Sequence, residues 1–221
     1  MRCPKDRDIR FNIIVDKPTA KSYDSDAHGF CERYEAADVA ELHEFLSRHV
    51  HEGMRVLEIG CGSGRDAAFM DSELGSEVTA LDGSAAMVEL ARTAHPEIAD
   101  RIHHTVMPLS DDENAEFAES FDVVVCLAML MHLPDDELAA LATQVRQWLK
   151  PDGVLLLSAS TGRPGLTRNR DTSGRLFIDR PPDILQSILA NAGFRLLEHE
   201  SVSDALHRDF IWHQMAFGVR Q

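Results

Sequence analysis

Apolar positions along this chain alternate between two rhythms. Short unbroken runs of apolar residues recur between segments whose apolar residues return every three or four positions. Residues 39–46 carry helical spacing and lead toward Gly53. Residues 55–59 then form a short apolar run that ends in glycines, which predicts a buried strand, and 67–74 return to the helical pattern. The alternation continues with a strand over 77–81, a helix capped by Ser84 through Ala94, and a weaker strand over 101–107. Residues 121–127 are the most apolar and β-branched run, predicting a central strand buried on both faces. A helix over 135–149 is expected to stop at Pro151 and Gly153, followed by a strand over 154–159. A helix over 183–192, ended by Gly193, and two successive strands over 194–198 and 210–219 complete the pattern. Strands alternating with helices of this length predict a doubly wound α/β domain with a mainly parallel sheet. The last two strands, with no helix between them, predict an antiparallel C-terminal hairpin at its edge.

Composition narrows the class. The 221 residues suffice for one domain, with residues 1–50 as an N-terminal cap segment and 54–221 as the core. A hydrophobic share of 44% is that of a globular protein able to bury a core. No apolar run approaches the ~20 residues that span a bilayer, and the charged N-terminus is followed by no secretory stretch, so a cytoplasmic location is expected. The cysteines at 3, 31, 61 and 126 show no C-x-x-C spacing and are read as reduced thiols rather than metal ligands. A formal charge of −15 argues against backbone-driven affinity for nucleic acid. One window opposes that balance: between Thr161 and Arg180 stand Arg163, Arg168, Arg170, Arg175 and Arg180 against Asp171 and Asp179. It reads equally as a solvated loop and as a site for an anion, and it directly follows a strand that ends on the binding face of such a sheet.

The candidate chemistry sits where the first strand ends, at Gly60-Cys61-Gly62-Ser63-Gly64. Parallel α/β sheets bind ligands at the carboxyl ends of their strands, near the reversal of strand order. The spacing G-x-G-x-G differs from the G-x-G-x-x-G of dinucleotide loops, which place a pyrophosphate at a helix N-terminus. Asp82 ends the second strand roughly 20 residues on, where a carboxylate can accept both hydroxyls of a ribose. A tight loop and a ribose acid, with no pyrophosphate cradle, are what an adenosyl cofactor requires.

Val56-Leu57-Glu58-Ile59-Gly60-Cys61-Gly62-Ser63-Gly64 resembles the first motif of class I S-adenosylmethionine-dependent methyltransferases, and Leu81-Asp82-Gly83-Ser84-Ala85-Ala86-Met87 resembles their second-strand motif. The blocks at 121–127 and 149–155 are similar to the fourth and fifth strands of that family. More narrowly, Ser22 to Ala27 and Gly62 to Asp66 look like bacterial small-molecule methyltransferases of the tellurite-resistance-like group. The resemblance implies a Rossmann-like, seven-stranded sheet with one antiparallel strand near its edge, and S-adenosyl-L-methionine as cofactor. It further implies that Glu58 approaches the methionine ammonium, that Gly60, Cys61, Gly62 and Gly64 form the loop under the cofactor, and that Asp82 and Gly83 meet the ribose. Met87, Pro108, Leu109 and Leu127 would border the adenosine, although no acid stands at 107–109 for the adenine amino group.

Methyl transfer needs alignment more than a catalytic triad. Residues 126–134 lack the Asn/Asp-Pro-Pro-aromatic motif of amino-group methylation and hold no Pro-Cys pair, which favours a small-molecule acceptor, with an anionic one suited to the arginines. His132, just past the fourth strand, is a candidate general base, although a structural histidine explains it as well. Tyr23 and His28 lie in the cap segment, and Tyr23 is the second candidate catalytic residue. Trp212 reads as core. Direct transfer with no metal is expected. A non-catalytic cofactor-binding module and a protein or nucleic-acid methyltransferase are the alternatives, while a nicotinamide oxidoreductase is disfavoured by the loop spacing.

Overall fold

A computed structural model describes residues 16–107, 109, 111–206 and 208–220, so the expectation for Pro108 falls outside the described residues. Seven strands form one sheet: β1 (Arg55–Ile59), β2 (Glu77–Asp82), β3 (Ile102–His104), β4 (Phe121–Leu127), β5 (Leu149–Thr161), β6 (Phe194–Ser203) and β7 (Ile211–Val219). Their order is β3-β2-β1-β4-β5-β7-β6, and β7 runs antiparallel to both of its neighbours. The predicted doubly wound, seven-stranded sheet with a C-terminal antiparallel hairpin is therefore the observed one.

Alternation within β4 shows why the sheet is covered on both sides. Val124 and Cys126 join one apolar cluster, whereas Val123 and Val125 join the other. The first cluster packs under α7 (Asp135–Trp148) and α8 (Pro182–Asn191), through Leu138, Leu141, Trp148 and Leu185. The second packs under α3 (Ala40–Ser47), α4 (Arg65–Ser72) and α5 (Ala85–Ala94), through Phe45, Met70 and Val88. β-Branched residues serve such strands because both faces are dry and every side chain must pack.

Two differences from the predicted elements have physical causes. β5 begins at Leu149, earlier than expected, because the chain re-enters the sheet directly from α7. Phe121 pairs with Leu149 and Val123 with Val154, so residues 150–153 bulge out, which accommodates a proline that has no N–H for the ladder. β6 extends to Ser203; as the edge strand it is only half-buried at alternate residues beyond Phe194, so its second half looks polar in sequence. β3 is three residues rather than seven.

The cap segment contains α1 (Lys17–Ser25) and α2 (Ala27–Glu35) ahead of α3, and α6 (Asp111–Phe117) lies between β3 and β4. Asp16 caps α1 by accepting from the Thr19 N–H at 3.0 Å. Both α1 and α2 pack on α5, with Phe30 and Ala27 closing over Met87. This lays the cap across the carboxyl end of β1, where the strand order reverses. No helix among the described residues is long and apolar enough to cross a membrane.

Candidate active site

The loop after β1 turns at Gly60 (φ 78°) and Gly62 (φ 56°), a backbone region that side-chain-bearing residues avoid. At Gly60 the space is also limiting, since a Cβ would lie 3.1 Å from Met129. The loop is fastened to β2: the N–H groups of Gly60 and Cys61 both donate to the Leu81 carbonyl, at 2.7 and 3.0 Å. Gly62 donates to Asp82 Oδ2 at 2.9 Å, and Ser84 to Oδ1 at 2.8 Å. Each Asp82 oxygen thus takes one backbone N–H and keeps acceptor capacity. Burial pushes the Asp82 carboxyl up, while those two bonds pull it down.

Glu58, at 1% exposure, points from β1 beneath the loop, and its Oε2 has no partner. Burial, with Asp66 and Asp82 nearby, holds its carboxyl well above the usual range. Asp66 behaves in the opposite way. Burial opposes its charge, but His43 at 2.9 Å and the forked guanidinium of Arg65, also at 2.9 Å, keep its carboxyl below the usual value. Arg65 in addition donates to the Tyr34 carbonyl, tying α4 to α2.

These groups line one cavity of about 660 Å³, which extends from the glycine loop past the end of β4 to the hairpin of β6 and β7. Glu58, Gly60, Cys61, Gly62, Asp82, Gly83, Met87, Leu127, Tyr23 and His132 all contribute to its wall. Two expected residues do not. Gly64 (φ 83°) caps α4, and a Cβ there would meet Ala91, His95 and Ile102 at 3.3–3.4 Å, so this glycine permits α4 to approach its neighbours rather than meeting a ligand. Leu109 lies in the apolar cluster under α7, with Met107 and Thr105 at the cavity instead. Trp212 departs from its core reading: it faces the cavity and donates to Asp204 Oδ1 at 2.9 Å. His28 is exposed.

At the far end of the cavity, His132 is fixed through both ring nitrogens. Its Nδ1 faces the Leu176 carbonyl, which can only accept, so Nδ1 carries the proton. Nε2 is left as the acceptor for the Tyr23 hydroxyl, at 3.1 Å. Burial pulls the His132 pKa down to about 4, so the ring is neutral. Tyr23 is itself approached at 3.4 Å by the Tyr34 hydroxyl and by Arg175. Just before this end, Ala128 turns at φ 52°, with its N–H held by Ser158; a strained alanine of this kind has no sequence signature.

The arginine window divides. Arg163 and Arg175 line the cavity. Arg180 is 4% exposed and holds Asp135 and the carbonyls of Leu130 and Leu133. Arg170 pairs with Asp16 at 2.7 Å, and Arg168 is exposed on a turn (φ 52°). Five residues that look alike in sequence serve three purposes. Among the described residues no group of three or more His, Cys, Asp or Glu has an arrangement that could hold a metal ion.

Comparison with known proteins agrees with this geometry. Residues 56–153 match the model of a methyltransferase domain family. The chain is 35% identical over 139 residues to a ubiquinone biosynthesis O-methyltransferase of Xanthomonas axonopodis pv. citri, covering 63% of this chain and 56% of that protein. It thus spans little more than half the length of that curated relative. Its structure resembles Burkholderia thailandensis 1,6-didemethyltoxoflavin-N1-methyltransferase, solved with 1,6-didemethyltoxoflavin and S-adenosylhomocysteine. The TM-score is 0.72 at 18% identity, over 100% of this chain and 94% of that one. It also resembles the [4+2]-cyclase SpnF, with a TM-score of 0.64 at 17% identity over 81% of this chain and 80% of that one, so the fold by itself does not specify methyl transfer.

Proposed function

We propose that this chain, whose residues 56–153 match a methyltransferase domain family, is a class I S-adenosylmethionine-dependent methyltransferase that transfers a methyl group directly to a small-molecule acceptor carrying negative charge. The observation that carries this reading is one cavity with an adenosyl-type site at one end and a proton-accepting pair beside cations at the other.

The residues present fit the cofactor. An orphaned, buried Glu58 oxygen matches an ammonium, because a cation restores what burial removed. Asp82, with one acceptor position left on each oxygen, matches two ribose hydroxyls. Gly60 and Gly62 let the backbone lie against the ligand, and Cys61, Met87 and Leu127 supply apolar wall. When bound, S-adenosylmethionine supplies a methyl group on a sulfonium, open to in-line attack.

The protein's own part is to align and dry the acceptor and to receive its proton. Tyr23 bridges the cavity and His132, so an acceptor hydroxyl can pass its proton to the Tyr23 oxygen as Tyr23 passes its own to Nε2. Arg163 and Arg175 set a positive field at that end, in a chain of net charge −15. The same charge balance speaks against a nucleic-acid acceptor. Release of S-adenosylhomocysteine from S-adenosylmethionine across a panel of small acids, amines and phenols tests the proposal. Turnover that depends on a small acceptor is the expected result. Binding without turnover on any of them would leave a cofactor-binding module.

A further inference from the structure

Within the cavity wall, and among the described residues, Arg163 is a partly buried cation without an ion-pair partner, whereas Arg33, also unpaired, is exposed to solvent. Arg175 is paired with Asp171 at 2.7 Å, and Arg208 with Asp204 at 2.6 Å. Arg163 makes no hydrogen bond or ion pair among the described residues, and its Nε is buried without a partner. Two phenyl rings pack against the guanidinium, with Cζ 4.2 Å from the Phe177 centroid and 4.3 Å from that of Phe210. Burial, with Arg208 and Arg175 nearby, weakens its hold on its proton. An arginine kept in such surroundings, facing a cavity, awaits an anion.

We propose that Arg163 anchors a carboxylate of the acceptor, and that the atom methylated is a hydroxyl oxygen elsewhere on the same molecule, presented to Tyr23 and His132. This deepens the methyltransferase reading and rests on it. The class follows from three features. Aromatic surface against the guanidinium leaves its in-plane N–H edge for recognition, and a planar carboxylate matches that edge with two parallel bonds. A single unpaired guanidinium balances one negative charge; Arg175 and Arg208 beside it are already paired with Asp171 and Asp204, so the second charge of a phosphate dianion would find no unpaired cation there. The group methylated is not the carboxylate, because a carboxylate arrives deprotonated and has no use for the Tyr23–His132 pair. The Phe177 ring, whose centroid is 4.8 Å from that of His132, stands against both the anchor and the proton acceptor. The acceptor must therefore span roughly one ring between acid and hydroxyl, as a hydroxyaryl carboxylic acid does. In the transfer, the hydroxyl O–H breaks, its proton moves through Tyr23 to His132 Nε2, and the oxygen takes the methyl group as the C–S bond breaks to leave a neutral thioether. The bound carboxylate also offsets the positive field of Arg163 on the imidazole, which favours that proton transfer.

The test is calorimetry on protein saturated with S-adenosylhomocysteine, with 4-hydroxyphenylacetate, its amide and phenyl phosphate as probes, followed by turnover of the acid with S-adenosylmethionine. The expected results are an acid that binds at least about tenfold more tightly than its amide, and an Arg163→Gln variant that removes this preference while its affinity for S-adenosylhomocysteine is unchanged. The product is an ether that keeps a free carboxylate. Equal affinity for acid and amide, no binding of the acid, tighter binding of phenyl phosphate, an unaffected Arg163→Gln variant, or a methyl ester as product would each overturn the proposal. Failure of the unmutated protein to bind S-adenosylhomocysteine would remove the premise as well, an outcome separable from all of these because it precedes the probes.

Discussion

Asp82 does two jobs at once, and a substitution there should separate them. Its carboxylate closes the glycine loop through Gly62 and Ser84, and in the proposed function its remaining acceptor positions take a ribose. Asp82→Ala should weaken S-adenosylhomocysteine binding by about 1.5–3 kcal/mol, roughly ten- to a hundredfold, with Asp82→Asn losing less because one oxygen remains. Calorimetry on both variants reads this, and unchanged affinity in the alanine variant would place the ribose elsewhere. His132 yields a prediction about pH. Its folded pKa of about 4 lies below the ordinary histidine value of 6.5, so the fold favours the neutral ring. The stability that this contributes is complete above pH 6.5 and is lost as pH falls toward 4, amounting to about 3 kcal/mol. Urea unfolding from pH 7 to 4 should therefore show a shallower loss in His132→Asn than in the unmutated protein; parallel curves would mean that the ring is solvated. At this scale the sequence was informative where chemistry depends on residue identity. Glu58 and Asp82 stand out as acids at the ends of apolar strands. Gly64 and Leu109 were misplaced because a motif does not reveal which side of a loop faces the ligand, and the strained turn at Ala128 is set by its neighbours alone.

The cap helices are held to the rest of the domain by a few polar ties. Asp16 pairs with Arg170, Thr19 Oγ1 accepts from the Leu176 N–H at 2.8 Å, and Asp24 accepts from Ser84 at 2.6 Å. Arg170 holds the Asp16 carboxyl down to about 2, yet the pair is exposed enough for solvent to screen it. Arg170→Ala should accordingly cost no more than about 1 kcal/mol of global stability, while hydrogen exchange across residues 17–25 speeds up several-fold. Unchanged exchange there would show that packing on α5 alone holds α1. Elements with a strong period were legible: β1 and β4 match their predicted residues, and α7 and α8 fall within one residue of theirs. α1 and α2 were missed because their apolar residues are few and pack on other helices rather than on the sheet. The bulge in β5 was read as a break because proline and glycine signal an interruption without saying whether the strand resumes in the same ladder.

At the scale of the molecule, an acidic protein gathers Arg163, Arg175 and Arg208 at one end of its cavity and Glu58, Asp66 and Asp82 at the other, with Asp204 and Arg65 as the opposite charges paired within each end. The strand order and the glycine loop put the cavity at the reversal point of the sheet, and the hairpin and cap enclose the space beside the loop. The doubly wound architecture was legible before the structure, as was the glycine loop that turns at the end of β1. The pairing of Tyr23 with His132, the division of the arginines and the place of Trp212 were not, since each depends on contacts between distant segments. If the site is what its geometry supports, S-adenosylhomocysteine at one hundred times its dissociation constant should stabilise the fold by about 2.7 kcal/mol, raising the melting temperature by roughly 5–10 °C. The most direct measurement is a calorimetric comparison of S-adenosylhomocysteine with NAD on the unmutated protein. S-adenosylhomocysteine binding with submicromolar to tens-of-micromolar affinity, and little NAD binding, is the predicted result; tighter binding of NAD would contradict the cofactor assignment and the function built on it.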